Sequence, residues 1–81
     1  MSSQVLHSGR IIWMEKNARN GIISDNETGD RLYFETGDVV VGVPGHGKSV
    51  QFIPQASAQL GPIAKNVICI DDMAKGVKMD G

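Results

Sequence analysis

A chain of 81 residues with a formal net charge of −1 has room for one small domain, and a domain of that size needs a compact core to be stable. Its one cysteine, Cys69, excludes an internal disulfide and therefore a disulfide-stapled secreted scaffold. A near-neutral balance excludes the strongly basic design that holds duplex DNA through phosphate contacts, but not a ligand held by stacking.

A reducing, cytoplasmic setting is the expectation from the cysteine usage. Residues 1–9 carry no long apolar run, so no signal peptide is expected. No run approaches membrane-spanning length. Charge is unevenly spread. Arg10, Lys16 and Arg19 cluster near the start, whereas Asp25, Glu27, Asp30, Glu35 and Asp38 follow close behind.

Taken in order, residues 1–8 read as a flexible N-terminal segment. Residues 9–14, Gly-Arg-Ile-Ile-Trp-Met, and 21–24, Gly-Ile-Ile-Ser, read as two strands joined by a polar link at 15–20. The link's Asn, Lys and Arg suit a turn. Residues 25–30, Asp-Asn-Glu-Thr-Gly-Asp, form a dense turn signal before a third strand at 31–35. There, alternation places Leu32 and Phe34 inward and Arg31, Tyr33 and Glu35 outward. The opposite register would bury two charges.

A glycine-rich connection follows, with Val39-Val40-Val41 as a short strand or turn. The fourth strand spans 49–53 and ends, or becomes an edge, at Pro54. Residues 55–61 read as a polar loop. A fifth strand covers 63–70, its run 67–70 apolar enough for burial on both faces. Residues 71–81 read as a mobile charged tail. The expected fold is all-β: a small, five-stranded, antiparallel barrel over residues 9–70.

The order of motifs resembles the cold-shock domain, an OB-type barrel that binds single-stranded RNA and DNA. Residues 9–14 are similar to that family's opening Gly-x-Val-Lys-Trp-Phe. At the family's spacing, Ala18-Arg-Asn-Gly-Ile-Ile23 falls on its first ribonucleoprotein motif. Gly29-Asp-Arg-Leu-Tyr-Phe34 resembles the stretch carrying the second motif. Gly47-Lys-Ser-Val-Gln-Phe52 resembles the fourth strand, and Gly61-Pro-Ile-Ala-Lys-Asn-Val67 the closing Gly-Pro-Gln-Ala-x-Asn-Val. The ribonucleoprotein motifs are degenerate. Asn20 and Ile22 hold the two stacking Phe positions, Met14 replaces an aromatic, and Glu35 stands where the family has His.

The resemblance implies a non-catalytic module that stacks bases and steadies phosphates. Trp13 and Tyr33 would be the stacking platforms. Ile22 and Met14 would add apolar contact, Asn20 would meet a base edge, and Arg10, Lys16, Arg19 and Arg31 would serve phosphates. The expected partner is single-stranded RNA or DNA. The alternative is a barrel that has lost this ligand and serves as a protein-interaction or self-association module, with a protein partner or a homodimer.

Two other patterns in the chain carry chemistry of their own. Residues 42–49, Gly-Val-Pro-Gly-His-Gly-Lys-Ser, match a phosphate-loop pattern, but the mechanism needs a helix beginning at the lysine. The residues that follow alternate like a strand and reach Pro54, so the match reads as chance. His7, His46 and Cys69 lie too far apart to read as a metal set, with His7 expected at the surface near a frayed end and Cys69 as an inert core residue. No cofactor and no catalytic group is expected.

Overall fold

The computed structural model describes residues 5–70. The expected charged tail lies outside them. Among the described residues are six strands: β1 (His7–Met14), β2 (Asn20–Asp25), β3 (Arg31–Glu35), β4 (Val39–Val41), β5 (Ser49–Ser57) and β6 (Gly61–Cys69). A single 3-10 turn, Thr36–Asp38, links β3 to β4.

Five of the strands close into a barrel in the order β1-β2-β3-β6-β5, with β5 returning to β1. Most pairings are antiparallel, but the expectation of a purely antiparallel barrel is corrected. β3 meets β6 in parallel at Tyr33 and Ile63, and β4 lies parallel to β6. The reason is geometric. Three consecutive antiparallel strands and a later hairpin, β5–β6, close only if the last strand runs alongside β3 in the same direction. A parallel closure needs a long connection, which the glycine-rich stretch before β5 provides.

The core is built from inward positions of every barrel strand. Ile11, Ile23, Leu32, Phe34, Val50, Phe52, Ala64, Val67 and Cys69 are buried, and Met14 and Val39 pack against them. In β3, Leu32 and Phe34 are inside while Arg31 and Glu35 are exposed, as alternation requires. Each large apolar side chain buried here contributes roughly 1.5–3 kcal/mol.

Two glycines face this core. A Cβ on Gly9 would stand 2.5 Å from the Ser24 carbonyl oxygen and 2.9 Å from Ile23 Cγ2, and one on Gly21 would stand 2.5 Å from the Trp13 carbonyl oxygen.

The strands run past the sequence reading at the start of β1, at both ends of β2, at the end of β5 and at the start of β6. β1 begins at His7, because His7 and Ser8 pair with Phe52 and Gln51 of β5. β5 does not stop at Pro54 but runs on to Ser57, opposite Gly61 of β6, so residues 55–57 are strand rather than loop. Pro54 is tolerated because β1 pairs with β5 only as far as Phe52. Beyond that point one side of β5 has no ladder to supply, and a missing N–H costs nothing there. The hairpin is tied by Ser57 Oγ, which accepts from the backbone N–H groups of Gln59 and Leu60 at 3.3 and 3.1 Å. Gly61 takes the left-handed conformation that reverses the chain.

β6 carries an irregularity of its own. Gln51 pairs with Ile68 but Ile53 pairs with Lys65, so Asn66 and Val67 together oppose Phe52. Asn66 adopts a positive φ of 51°, a conformation asparagine accepts readily. The extra residue lets Ala64 and Val67 both face inward. No helix among the described residues is long and apolar enough to cross a membrane.

Candidate functional site

The outer face of β1–β3 is organised by one bulge. Ile11 pairs with Ile23, but the next pair is Trp13 with Ile22, so Ile12 is an extra residue on β1. Strict alternation from Ile11 would bury Trp13 and expose Met14. The bulge reverses this, as bulges commonly re-aim a side chain. Trp13 is 46% exposed, and Met14 packs against the core. The expected surface contact from Met14 is thereby corrected.

Residues paired directly across neighbouring strands present their side chains on the same face. The register therefore defines three rows on the outer surface. The first is Arg10–Ser24–Arg31, with both arginines exposed. The second is Trp13–Ile22–Tyr33, continued by Ile63 of β6. The third is Asn20–Glu35. Adjacent rows lie two residues apart along the strands, about 6–7 Å.

Six of the nine residues singled out from the sequence, Arg10, Trp13, Asn20, Ile22, Arg31 and Tyr33, fall on this one face. Lys16 and Arg19 do not join the first row. They sit exposed in the β1–β2 turn, beyond the third. That turn is held by Ala18 N–H to the Glu15 carbonyl at 2.7 Å and Glu15 N–H to the Asn20 carbonyl at 2.9 Å. It is docked to the end of β3 by Thr36 N–H, which donates to the Arg19 carbonyl at 2.9 Å.

The third row is more ordered than its sequence suggests. Tyr33 Oη donates to Glu35 Oε2 at 3.4 Å. The Glu35 carboxylate also accepts the backbone N–H of Asp38, and Glu35 N–H donates back to Asp38 Oδ2. Partial burial, followed by the Glu35 carboxylate and more weakly by Asp38 and Glu15, pushes the Tyr33 phenol above its ordinary range. It stays a neutral donor. Lys65 is occupied by Asp38, Nζ to Oδ1 at 2.7 Å.

A second polar arrangement gave no readable signal in the sequence. Asp25 closes β2 and is 3% exposed. Its Oδ1 accepts the backbone N–H groups of Glu27 and Thr28 at 2.7 and 3.3 Å. Its Oδ2 lies 2.7 Å from His7 Nδ1. His7 is thus a paired strand residue, packed at 6.0 Å between ring centroids against Phe52. The expectation of a surface histidine near a frayed end is corrected. The two residues line a groove of about 400 Å³, with Leu32, Pro54 and Pro62 among its walls.

The phosphate-loop pattern is not built as such a loop. Ser49 opens strand β5 rather than a helix, and Lys48 Nζ donates to the Val43 carbonyl at 2.8 Å. The loop continues the barrel wall, with Gly47 N–H to the Ile11 carbonyl at 2.7 Å and Ile11 N–H to the Lys48 carbonyl at 3.0 Å. Among the described residues, no group of three or more His, Cys, Asp or Glu side chains is placed to hold a metal ion. No family model matches the chain, and no curated protein matches it closely enough to stand as a relative.

Proposed function

We propose that this protein binds single-stranded nucleic acid, RNA or DNA, without catalysis, as a divergent cold-shock-like module of the cytoplasm. The observation that carries the reading is the adjacency of two rows: the Trp13–Ile22–Tyr33 row beside Arg10–Ser24–Arg31. Bases stack on aromatic faces while cations steady the phosphates a few ångströms away. Trp13 and Tyr33 serve as platforms, Ile22 fills the space between them, Asn20 meets a base edge, and Arg10 and Arg31 hold phosphates. Lys16 and Arg19, at the far end, engage a longer strand.

Trp13 is the only tryptophan in the chain, so its fluorescence reports on the site alone. Titration with a short single-stranded oligonucleotide should quench it, and moderate salt should weaken the quenching. A flat response from a folded sample at low salt overturns the proposal.

One observation favours a second reading. Among the described residues β4 has β6 on one side and is otherwise at the sheet's edge, and the side chains of Val40, Val41 and Val43 are exposed. An apolar edge strand is a template for pairing with another chain. A mass that rises with concentration in light scattering, together with no oligonucleotide binding, would assign the barrel to self-association or protein interaction instead.

A further inference from the structure

The third row gives the proposed surface a base preference. We infer that Glu35 selects bases carrying an exocyclic amino group on the pairing edge, cytosine above all, and disfavours uracil and thymine. This rests on the nucleic-acid reading just given.

The three rows match the order of groups in a nucleotide. Phosphate lies over Arg10 and Arg31, and the ring lies on Trp13 and Tyr33. The edge of the base then projects over Asn20 and Glu35, one row further on. Phosphate is not expected in the place of the edge, because Glu35 is anionic and Lys65 is already paired with Asp38 at 2.7 Å.

Glu35 is held for this task. Tyr33 Oη and the Asp38 backbone N–H both donate to its carboxylate, so it is fixed beside the ring on which the base stacks. An ionised carboxylate offers about four acceptor sites and no donor. Among the described residues two are taken, which leaves acceptor capacity for a ligand. The cytosine amino group is a donor at its position 4 and suits a carboxylate. Uracil and thymine present a carbonyl oxygen there, which would face the carboxylate lone pairs without a proton between them; their donor on this edge, the ring N3–H, lies one atom further round and meets Glu35 only if the base shifts on Trp13 and Tyr33. Asn20, paired with Glu35 across β2–β3, carries both a donor and an acceptor and tolerates either edge. Discrimination therefore falls to Glu35.

The test compares two oligonucleotides of equal length, one all deoxycytidine and one all deoxythymidine, titrated against Trp13 fluorescence at neutral pH. Both have six-membered rings, so ring size does not separate them. The wild-type protein should prefer the deoxycytidine strand by roughly five- to tenfold, within the range that one specific base-edge pair supplies. In Glu35→Gln, whose amide both donates and accepts, the ratio should fall to about twofold or less, mainly through tighter binding of the deoxythymidine strand. The variant's melting curve verifies that it is folded, and the wild-type ratio stands without it. Equal quenching by both strands in the wild type overturns the assignment of Glu35 while leaving nucleic-acid binding intact. A ratio unchanged in folded Glu35→Gln also overturns it. Quenching by neither strand overturns the binding reading together with this inference.

Discussion

His7 Nδ1 and Asp25 Oδ2 lie 2.7 Å apart and tie the first paired residue of β1 to the last of β2. The hydrogen bond to Asp25 raises the His7 pKa above 6.5, helped by the charges of Asp25 and Glu27 and opposed by partial burial. Burial pushes the Asp25 carboxyl upward. The His7 contact and the two backbone N–H groups outweigh it and hold the pKa below 3.8. The linkage signs follow. The His7 contribution is complete below pH 6.5 and is lost as pH rises through its raised folded value. The Asp25 contribution is complete above pH 3.8 and is lost as pH falls through its lowered one. Melting temperature should therefore be higher near ~5.5 than near ~8.5, and His7→Gln should flatten that difference. An equal slope in wild type and variant would assign the pH dependence to other groups. Asp25→Ala should cost more than His7→Gln, by about 1 kcal/mol, because it also removes the acceptor of the Glu27 and Thr28 backbone N–H groups, which then turn to water at this exposed turn.

The His7–Asp25 pair shows where the sequence stops being legible. Eighteen positions separate the two residues, and Asp25 sits in a stretch of turn formers that reads as solvent-exposed. Nothing in composition announces that its side chain folds inward. The barrel itself was legible because it rests on alternation, as at Leu32–Tyr33–Phe34, and on turn residues at regular spacing. Its closure was not, because a parallel contact at Tyr33 and Ile63 depends on two distant segments meeting. Pro54 left two outcomes open, a strand end or an edge, and the second holds. Its effect on a strand depends on whether a neighbour needs its N–H, and that is a property of the sheet. In the site, Tyr33 followed from alternation alone. Trp13 did not, since alternation from Ile11 would bury it, and only the bulge at Ile12 brings it to the surface.

Gly21 should be intolerant of any side chain. It lies opposite Met14 where β1 resumes its regular pairing after the bulge, and an added Cβ would stand 2.8 Å from Met14 Sδ and 2.9 Å from Phe34 Cε1. Gly21→Ala should destabilise by about 1–3 kcal/mol, as overpacking of a filled core does. In a domain of this size that lowers the melting temperature by roughly 4–8 °C per kcal/mol. Thermal unfolding by circular dichroism measures it. A variant as stable as the wild type would mean that β1 and β2 can separate without loss.

The first row makes a prediction about salt. If Arg10 and Arg31 each neutralise one phosphate, the logarithm of affinity should fall with the logarithm of salt concentration with a slope of about −0.7 per contact for a single strand. Arg31→Ala should reduce the magnitude of the slope by about 0.7 and weaken all sequences alike, since phosphate contacts carry no base information. Glu35→Gln should change the preference between bases without reducing the slope. Measuring both variants over the same salt series separates the two rows. An Arg31→Ala slope equal to that of the wild type would remove Arg31 from the phosphate path.

The bulge makes the sharpest prediction about the face itself. Deleting one residue from a strand ordinarily turns every side chain beyond it to the opposite face. Deleting Ile12 should not do so. The pairs Ile11 with Ile23, Trp13 with Ile22 and Met14 with Gly21 become consecutive in a regular ladder, so Trp13 stays outside and Met14 inside. The variant should fold and keep the long-wavelength tryptophan emission and quencher access of the wild type. It should lose stability by about 1 kcal/mol or more from the half-buried Ile12 side chain and from the bend that helps β1 reach both β2 and β5. A blue-shifted, shielded Trp13 in the Ile12 deletion would show that the surrounding strands, and not the bulge, decide which way the tryptophan faces.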